Sequence, residues 1–248
     1  MGTGELGTGE LGTGGSGTGE SGTGDLIGTG RSADVFALGE DWVLRRYRNG
    51  GDASAEAQVM AYLAGRGYPV PGLRDPAPAG PGAFVAPRTD LVMRRLRGPS
   101  MLGALAEGTL TAEEAGATLA DLLHRLHALP ARVSADPAHR VLHLDLHPDN
   151  VMLTPEGPVV IDWGNTEEGD PCFDRSMSAL ILAQVAVAPG PYAVPARSVL
   201  VSLTAHLGPL DDDCLARARA RRATDPCLTA SETSLLDEAV RLVRDSGN

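Results

Sequence analysis

The chain is predicted to be an α+β protein of two lobes, a small antiparallel β lobe followed by a larger, mainly helical one. Three observations predict this. Short apolar runs broken by turn residues crowd residues 25–48 and recur near residue 92. Helical periodicity dominates from residue 111 onward. Between the helical stretches lies one island of loop and short strand, "VLHLDLHPDNVMLTPEGPVVIDWGN".

Residues 2–24 repeat Gly-Thr-Gly with Glu, Leu or Ser between the copies. They are too poor in apolar side chains to offset the entropy of ordering, so 1–24 are expected to form a disordered tail. Context changes at Asp25. Leu26-Ile27 reads as a short strand, Gly28-Thr29-Gly30 as a tight turn and Val35 to Leu38 as a second strand. Gly39-Glu40-Asp41 is a hairpin turn, and Trp42 to Arg48 form a third strand. "ASAEAQVMAYLAGRG" is helical and stops at Gly65 or Gly67. A Pro- and Gly-rich loop covers 68–82, and "TDLVMRRL" is again a strand. The order β-β-β-α-β-β describes a lobe over 25–97, leaving 98–248 to the second lobe.

There, "TAEEAGATLADLLHRLHALP" opens with a capping box of Thr111 and Glu114 and ends at Pro130. Val151–Leu153 and Val159–Ile161 are strands around the turn Thr154–Gly157. Ala179 to Pro189 is the longest apolar run; it is too short to span a bilayer and reads as a buried helix. A last helix, 229–245, opens with a second capping box, Thr229 and Glu232.

Composition narrows the partners. A net charge of −11 argues against nucleic acid or an anionic membrane as partner, and mildly favours a cationic one. All 21 basic residues are Arg. The three Cys (Cys172, Cys214, Cys227) show no metal-ligand spacing and cannot all pair internally, which suggests a reducing cytoplasm. The start has no secretory signal pattern. Oligomeric state is left open.

The chemistry concentrates in the island. Asp145, Asn150 and Asp162 converge from two adjacent loops. Mg2+ takes oxygen ligands and keeps places for substrate phosphates; Asn150 and Asp162 supply two. Asp145 is then free to accept a proton from an attacking hydroxyl.

"HLDLHPDN" followed by "IDWG" resembles the catalytic loop and metal-binding motif of the aminoglycoside phosphotransferase family, which shares the protein-kinase-like fold. The pattern H-x-D-x-H-x-x-N falls on His143, Asp145, His147 and Asn150, and Asp162 stands at the D-F-G aspartate. "LHRLHALP" and "GDPCFD" are similar to segments flanking the family's loop, so the resemblance spans about residues 25–180. It implies ATP, Mg2+ and a small-molecule hydroxyl acceptor, for which the negative net charge leaves a cation open. It implies that His143, His147 and Asp174 hold the loop's shape. It also implies a glycine turn, a strand with a phosphate-gripping cation and a helix with that cation's acidic partner. Gly28 and Gly30 lie at the right distance before Arg45 and Glu56; an ordinary hairpin turn and a surface Glu are the plain alternatives. Lysine is usual on that strand, so Arg45, with Arg46 as the other choice, is a departure. Arg175-Ser176 also departs from the family's more usual Leu-Ala. Backbone groups from Met93 through Arg94 and Arg95 to Leu96 are implied to meet the adenine. The stretch after Asp162 is too short for a protein-kinase activation segment. Glu167, Glu168 and Asp211 to Asp213 either line an amine site or serve as caps and surface groups. A nucleotide-binding pseudokinase without turnover is the alternative to an active kinase.

Overall fold

The computed structural model describes residues 24–30, 33–74, 89–226 and 228–247. The repeat at 1–24, save Gly24, and the loop after residue 74 lie outside these. The two-lobed α+β class is what the structure has. β1 (Leu26–Thr29), β2 (Ala33–Leu38), β3 (Trp42–Tyr47) and β4 (Asp90–Arg94) form one antiparallel sheet in that order. Helix α1 (Ser54–Ala64) joins β3 to β4, ending where Gly65 caps it. Of the six-element order expected for this lobe, β-β-β-α-β is present among the described residues.

The first bend differs from expectation. Gly28 is not in the turn but inside β1, paired with Val35, and the register slips between Leu26 and Gly28. A glycine in a strand often marks such an irregularity. The turn begins at Gly30, whose N–H donates to the Ala33 carbonyl at 2.9 Å. β3 stops one residue early, and Arg48–Gly50 wind into a short 3-10 turn. As the central strand, β3 is covered on both faces: Val43, Leu44 and Arg45 are all buried.

The second lobe holds α2 (Met101–Ala106), α3 (Ala112–His127), α4 (Pro171–Val187), α5 (Ala193–Leu207), α6 (Asp212–Ala223), α7 (Ala230–Ser234) and α8 (Leu236–Ser246). The stripe Leu119, Leu122, Leu123 and Leu126 of α3 is fully buried. α4 is buried along most of its length, as its apolar run predicts, and packs on α5, α6 and α8. The helix expected over 229–245 is two. Thr233 and Ser234 turn their hydroxyls onto the carbonyls of Thr229 and Ser231, and the Leu235 N–H tightens to Glu232. Such local bonds compete with helical continuation.

Two small ribbons carry the loops of interest: β5 (Arg140–Leu142) with β8 (Glu167–Gly169), and the hairpin β6 (Val151–Thr154) with β7 (Gly157–Val160). Where the chain passes between lobes, Gly98 has a φ of +134°, and a Cβ there would sit 1.9 Å from the Leu153 carbonyl oxygen. Only glycine allows that approach.

Cys172 and Cys214 form a disulfide between the starts of α4 and α6, with Cα atoms 5.9 Å apart. Two of the three cysteines therefore pair, as an odd number allows, and the cysteine argument for a reducing compartment falls away. The bond closes a sequence separation of 42 residues, for which loop entropy gives about 2–4 kcal/mol. Reduction with dithiothreitol is expected to lower the Tm by several degrees in a calorimetric scan. An unchanged Tm would show that the bond does not stabilise the helical lobe. No helix among the described residues is long and apolar enough to cross a membrane.

Candidate active site

A cleft of about 1890 Å3 lies between the sheet and the helical lobe. Gly28, Gly30, Arg45, Glu56 and Met93 to Leu96 line it from the sheet side; Asp145, His147, Asn150 and Asp162 line it from below. His143 and Asp174 are fully buried behind it.

Alternation along β3 places Arg45 and Tyr47 on one face. Helix α1 carries Glu56 in its first turn, where a carboxylate suits the helix dipole. Arg45 Nη1 donates to Glu56 Oε1 at 2.7 Å, and Nη2 donates to Asp162 Oδ1 at 2.5 Å. Burial would lower the guanidinium pKa, but Glu56 and Asp162 outweigh it and the net shift is upward. Arg46 turns to the other face and pairs with Asp90 through two bonds of 2.9 and 2.7 Å. Of the two candidate cations, only Arg45 faces the cleft.

The loop after β5 is built around Asp174. Its Oδ2 accepts the His143 N–H at 3.0 Å, and its Oδ1 accepts the Leu144 N–H at 2.7 Å. His127 Nε2 lies 2.9 Å from the same carboxylate. These bonds hold Leu144 at a φ of +63°, a strained conformation that turns the next residue, Asp145, into the cleft. His143 ties the two loops together. Its Nδ1 accepts the Asp145 N–H at 3.2 Å, so Nε2 carries the proton and donates it to the Ile161 carbonyl at 3.0 Å. Its ring stands edge-on to Trp163, 4.6 Å between centroids.

Asn150 follows on a short 3-10 turn. Its Nδ2 donates to the Asp145 carbonyl at 2.8 Å, which leaves Oδ1 without a partner among the described residues. His147 accepts the Asp149 N–H at Nδ1, and its Nε2 lies 3.8 Å from Asp145 Oδ1. Burial holds its imidazole pKa below the usual value against the pull of Asp145. Asp162 ends the hairpin in the left-handed region, φ +64°. Its carboxylate is half-exposed toward the cleft. The amide oxygen of Asn150 and the Asp162 carboxylate both line the cleft and are oxygen donors of the kind that suits a hard divalent cation.

Three residues escaped the sequence reading. The Tyr47 hydroxyl donates to Glu56 Oε2, and the Trp163 N–H donates to Glu56 Oε1 at 3.1 Å. Glu56, on α1, thus receives β3 and the post-Asp162 loop on one carboxylate. Burial, reinforced by Glu56, pushes the Tyr47 phenol pKa up, keeping it a donor. The face shared with Arg45 was the available signal for Tyr47. His127 and Trp163 sat inside the quoted segments without an assigned part.

Other expectations resolve differently. Glu168 accepts the N–H groups of Arg132, Val133 and Ser134; Glu167 pairs with Arg221; Asp211 caps α6. These acids are caps and surface pairs, not an amine site. Two of the predicted hinge donors are committed within the protein: Arg94 N–H to Gly72, and Arg95 N–H to Asp41. The Leu96 N–H makes no such bond among the described residues.

A β sheet set over a helical lobe, with an aspartate-bearing loop between them, defines the kinase-like class. The chain belongs to the phosphotransferase enzyme family, whose model matches residues 23–140 and 128–192. The fold is similar to a spectinomycin phosphotransferase in complex with ADP and spectinomycin. That pair has a TM-score of 0.57 at 10% identity, covering 90% of this chain and 92% of the other. The gentamicin complex of APH(2")-IIa matches at 0.54 and 13% identity, over 88% and 89%. An amicoumacin kinase bound to AMP-PNP and Ca2+ matches at 0.51 and 13% identity, over 90% and 88%. Comparison with curated proteins finds no match.

Proposed function

We propose that this protein is an ATP-dependent kinase of a small-molecule hydroxyl, its nucleotide held by the lobe at 25–97 and its acceptor by that at 98–248. One observation carries the reading: Arg45, held by Glu56 and Asp162, overlooks Asp145 and Asn150 across a single cleft. Family membership and the nucleotide complexes of similar folds support it.

The adenine sits at the hinge, where Met93 to Leu96 line the cleft and the Leu96 N–H has no partner among the described residues. Gly30 and the end of β1 cover the phosphates. Arg45, a planar donor fork, grips them bidentately where lysine would act as a point charge. Asn150 Oδ1 and Asp162 would hold Mg2+, which neutralises phosphate charge when bound. Asp145 accepts the proton of the acceptor hydroxyl. The hydroxyl oxygen forms a bond to the γ-phosphorus, and the bond from that phosphorus to the β–γ bridging oxygen breaks, releasing ADP. His143, His147 and Asp174 take no proton in this scheme; they hold the loop.

An ADP-release assay across hydroxyl-bearing small molecules tests the activity. Acceptor-dependent ADP formation is expected; ATP that neither binds nor turns over would overturn the reading. Asp162→Asn tests the metal role, since asparagine tolerates the left-handed conformation. The variant is expected to keep its fold while Mg2+-dependent ATP affinity falls at least about tenfold, roughly 1.4 kcal/mol. Unchanged affinity by calorimetry would remove Asp162 from the metal site.

A further inference from the structure

We propose that the acceptor half of the cleft takes an uncharged hydroxyl compound with an apolar body, and not a polycation; the proposal rests on the phosphotransferase reading above. The cleft has room for an acceptor beside the nucleotide. Its volume of about 1890 Å3 exceeds the roughly 300–1,000 Å3 of an ordinary single-ligand pocket. The wall away from the sheet carries a cluster of apolar side chains: Met177, Ile181 and Val185 of α4, Tyr192 before α5, Val199 of α5, and Leu228. Val185 and Tyr192 are 41% and 51% exposed, large apolar side chains left open where they line the cleft.

The acids that would receive ammonium groups are engaged elsewhere. Glu56 and Asp162 hold Arg45. Asp225 accepts from Arg222 at 2.9 Å, and Glu232 completes the cap of α7. Asp145 and Asp149, both on the catalytic loop, are the remaining carboxylates on the cleft among the described residues. A polycation would bring several charges against apolar surface, and each would need its own partner there. It would also meet Arg221 and Arg222 on the same wall.

Beside its apolar groups the wall holds one fixed amide, that of Gln184. Arg222 Nε donates to Gln184 Oε1 at 2.8 Å, which fixes the amide's orientation. Gln184 Nε2, on a side chain buried to 8% exposure, has no partner among the described residues.

Calorimetry on the full chain decides the point, with and without AMP-PNP and Mg2+. The uncharged probes are chloramphenicol and 4-nitrophenyl β-D-glucopyranoside; the polycations are kanamycin and gentamicin. At least one uncharged probe is expected to bind at least about tenfold tighter than either polycation. Val185→Glu, at an exposed position, is expected to weaken that probe about tenfold and strengthen kanamycin. Equal or tighter binding of a polycation to the unaltered chain overturns the proposal. So does failure of both uncharged probes to bind, or an unchanged probe affinity in Val185→Glu. Absence of AMP-PNP binding would instead sink the kinase reading, while the ranking of the four probes still decides the acceptor class.

Discussion

Replacing Asp145 by Asn is expected to cut kcat by about 10²- to 10⁴-fold while leaving ATP affinity within a factor of about two. The substitution is close to isosteric. The backbone bonds at this position, from the Asp145 N–H to His143 Nδ1 and from Asn150 Nδ2 to the Asp145 carbonyl, do not use the side chain. The loop therefore keeps its shape. What changes is the ability to take a proton. Arg45 and Asp162 grip one another and not Asp145, so nucleotide contacts are spared. Steady-state kinetics with nucleotide calorimetry separates the two effects. Unaltered kcat would remove Asp145 from the chemistry. If the unaltered protein itself binds ATP but never turns over with any acceptor, the pseudokinase alternative gains the ground instead.

How far the sequence reaches depends on whether a residue's partner is near in pattern or only in space. Strand alternation put Arg45 and Arg46 on opposite faces, and the structure sends one to Glu56 and the other to Asp90. The capping boxes at Thr111 and Thr229 are local, so both were readable. Gly28 was misplaced because a glycine beside Thr-Gly looks the same in a bulged strand as in a turn. Its role is decided by cross-strand pairing with Val35. The acids at 167, 168 and 211 could not be assigned because their partners, Arg221, the Arg132–Ser134 backbone and the α6 terminus, are chosen by tertiary contact. The Cys172–Cys214 bond is likewise a product of how α4 meets α6. Tyr47 and Trp163 were legible as strand and loop residues, but their meeting on the Glu56 carboxylate needs the two lobes in place.

Asp174→Asn is expected to be the most destabilising single change at the site. The carboxylate is fully buried and accepts from two backbone N–H groups and His127. An asparagine amide fits the space, but one of its two heads is a donor. Either the His143 or the Leu144 N–H, or His127, then faces another donor with no water to help. Breaking such a buried charged network costs about 3–5 kcal/mol, or roughly a 10 °C fall in Tm for a chain of this size. Activity is expected to fall further than stability alone dictates, because the same bonds strain Leu144 and so aim Asp145. The acid side of the stability curve gives an independent check. Burial alone would raise the Asp174 pKa, but His127, His143 and the Leu144 N–H outweigh it and hold the group below its ordinary 3.8. The folded form thus binds the proton more weakly than the unfolded one. Asp174's contribution is complete above pH 4 and is lost as pH falls further. The Asn variant, having nothing to titrate, is expected to show a shallower loss of Tm below pH 4. Equal acid slopes in the two proteins would mean that the buried carboxylate is not what ties the catalytic loop to α4.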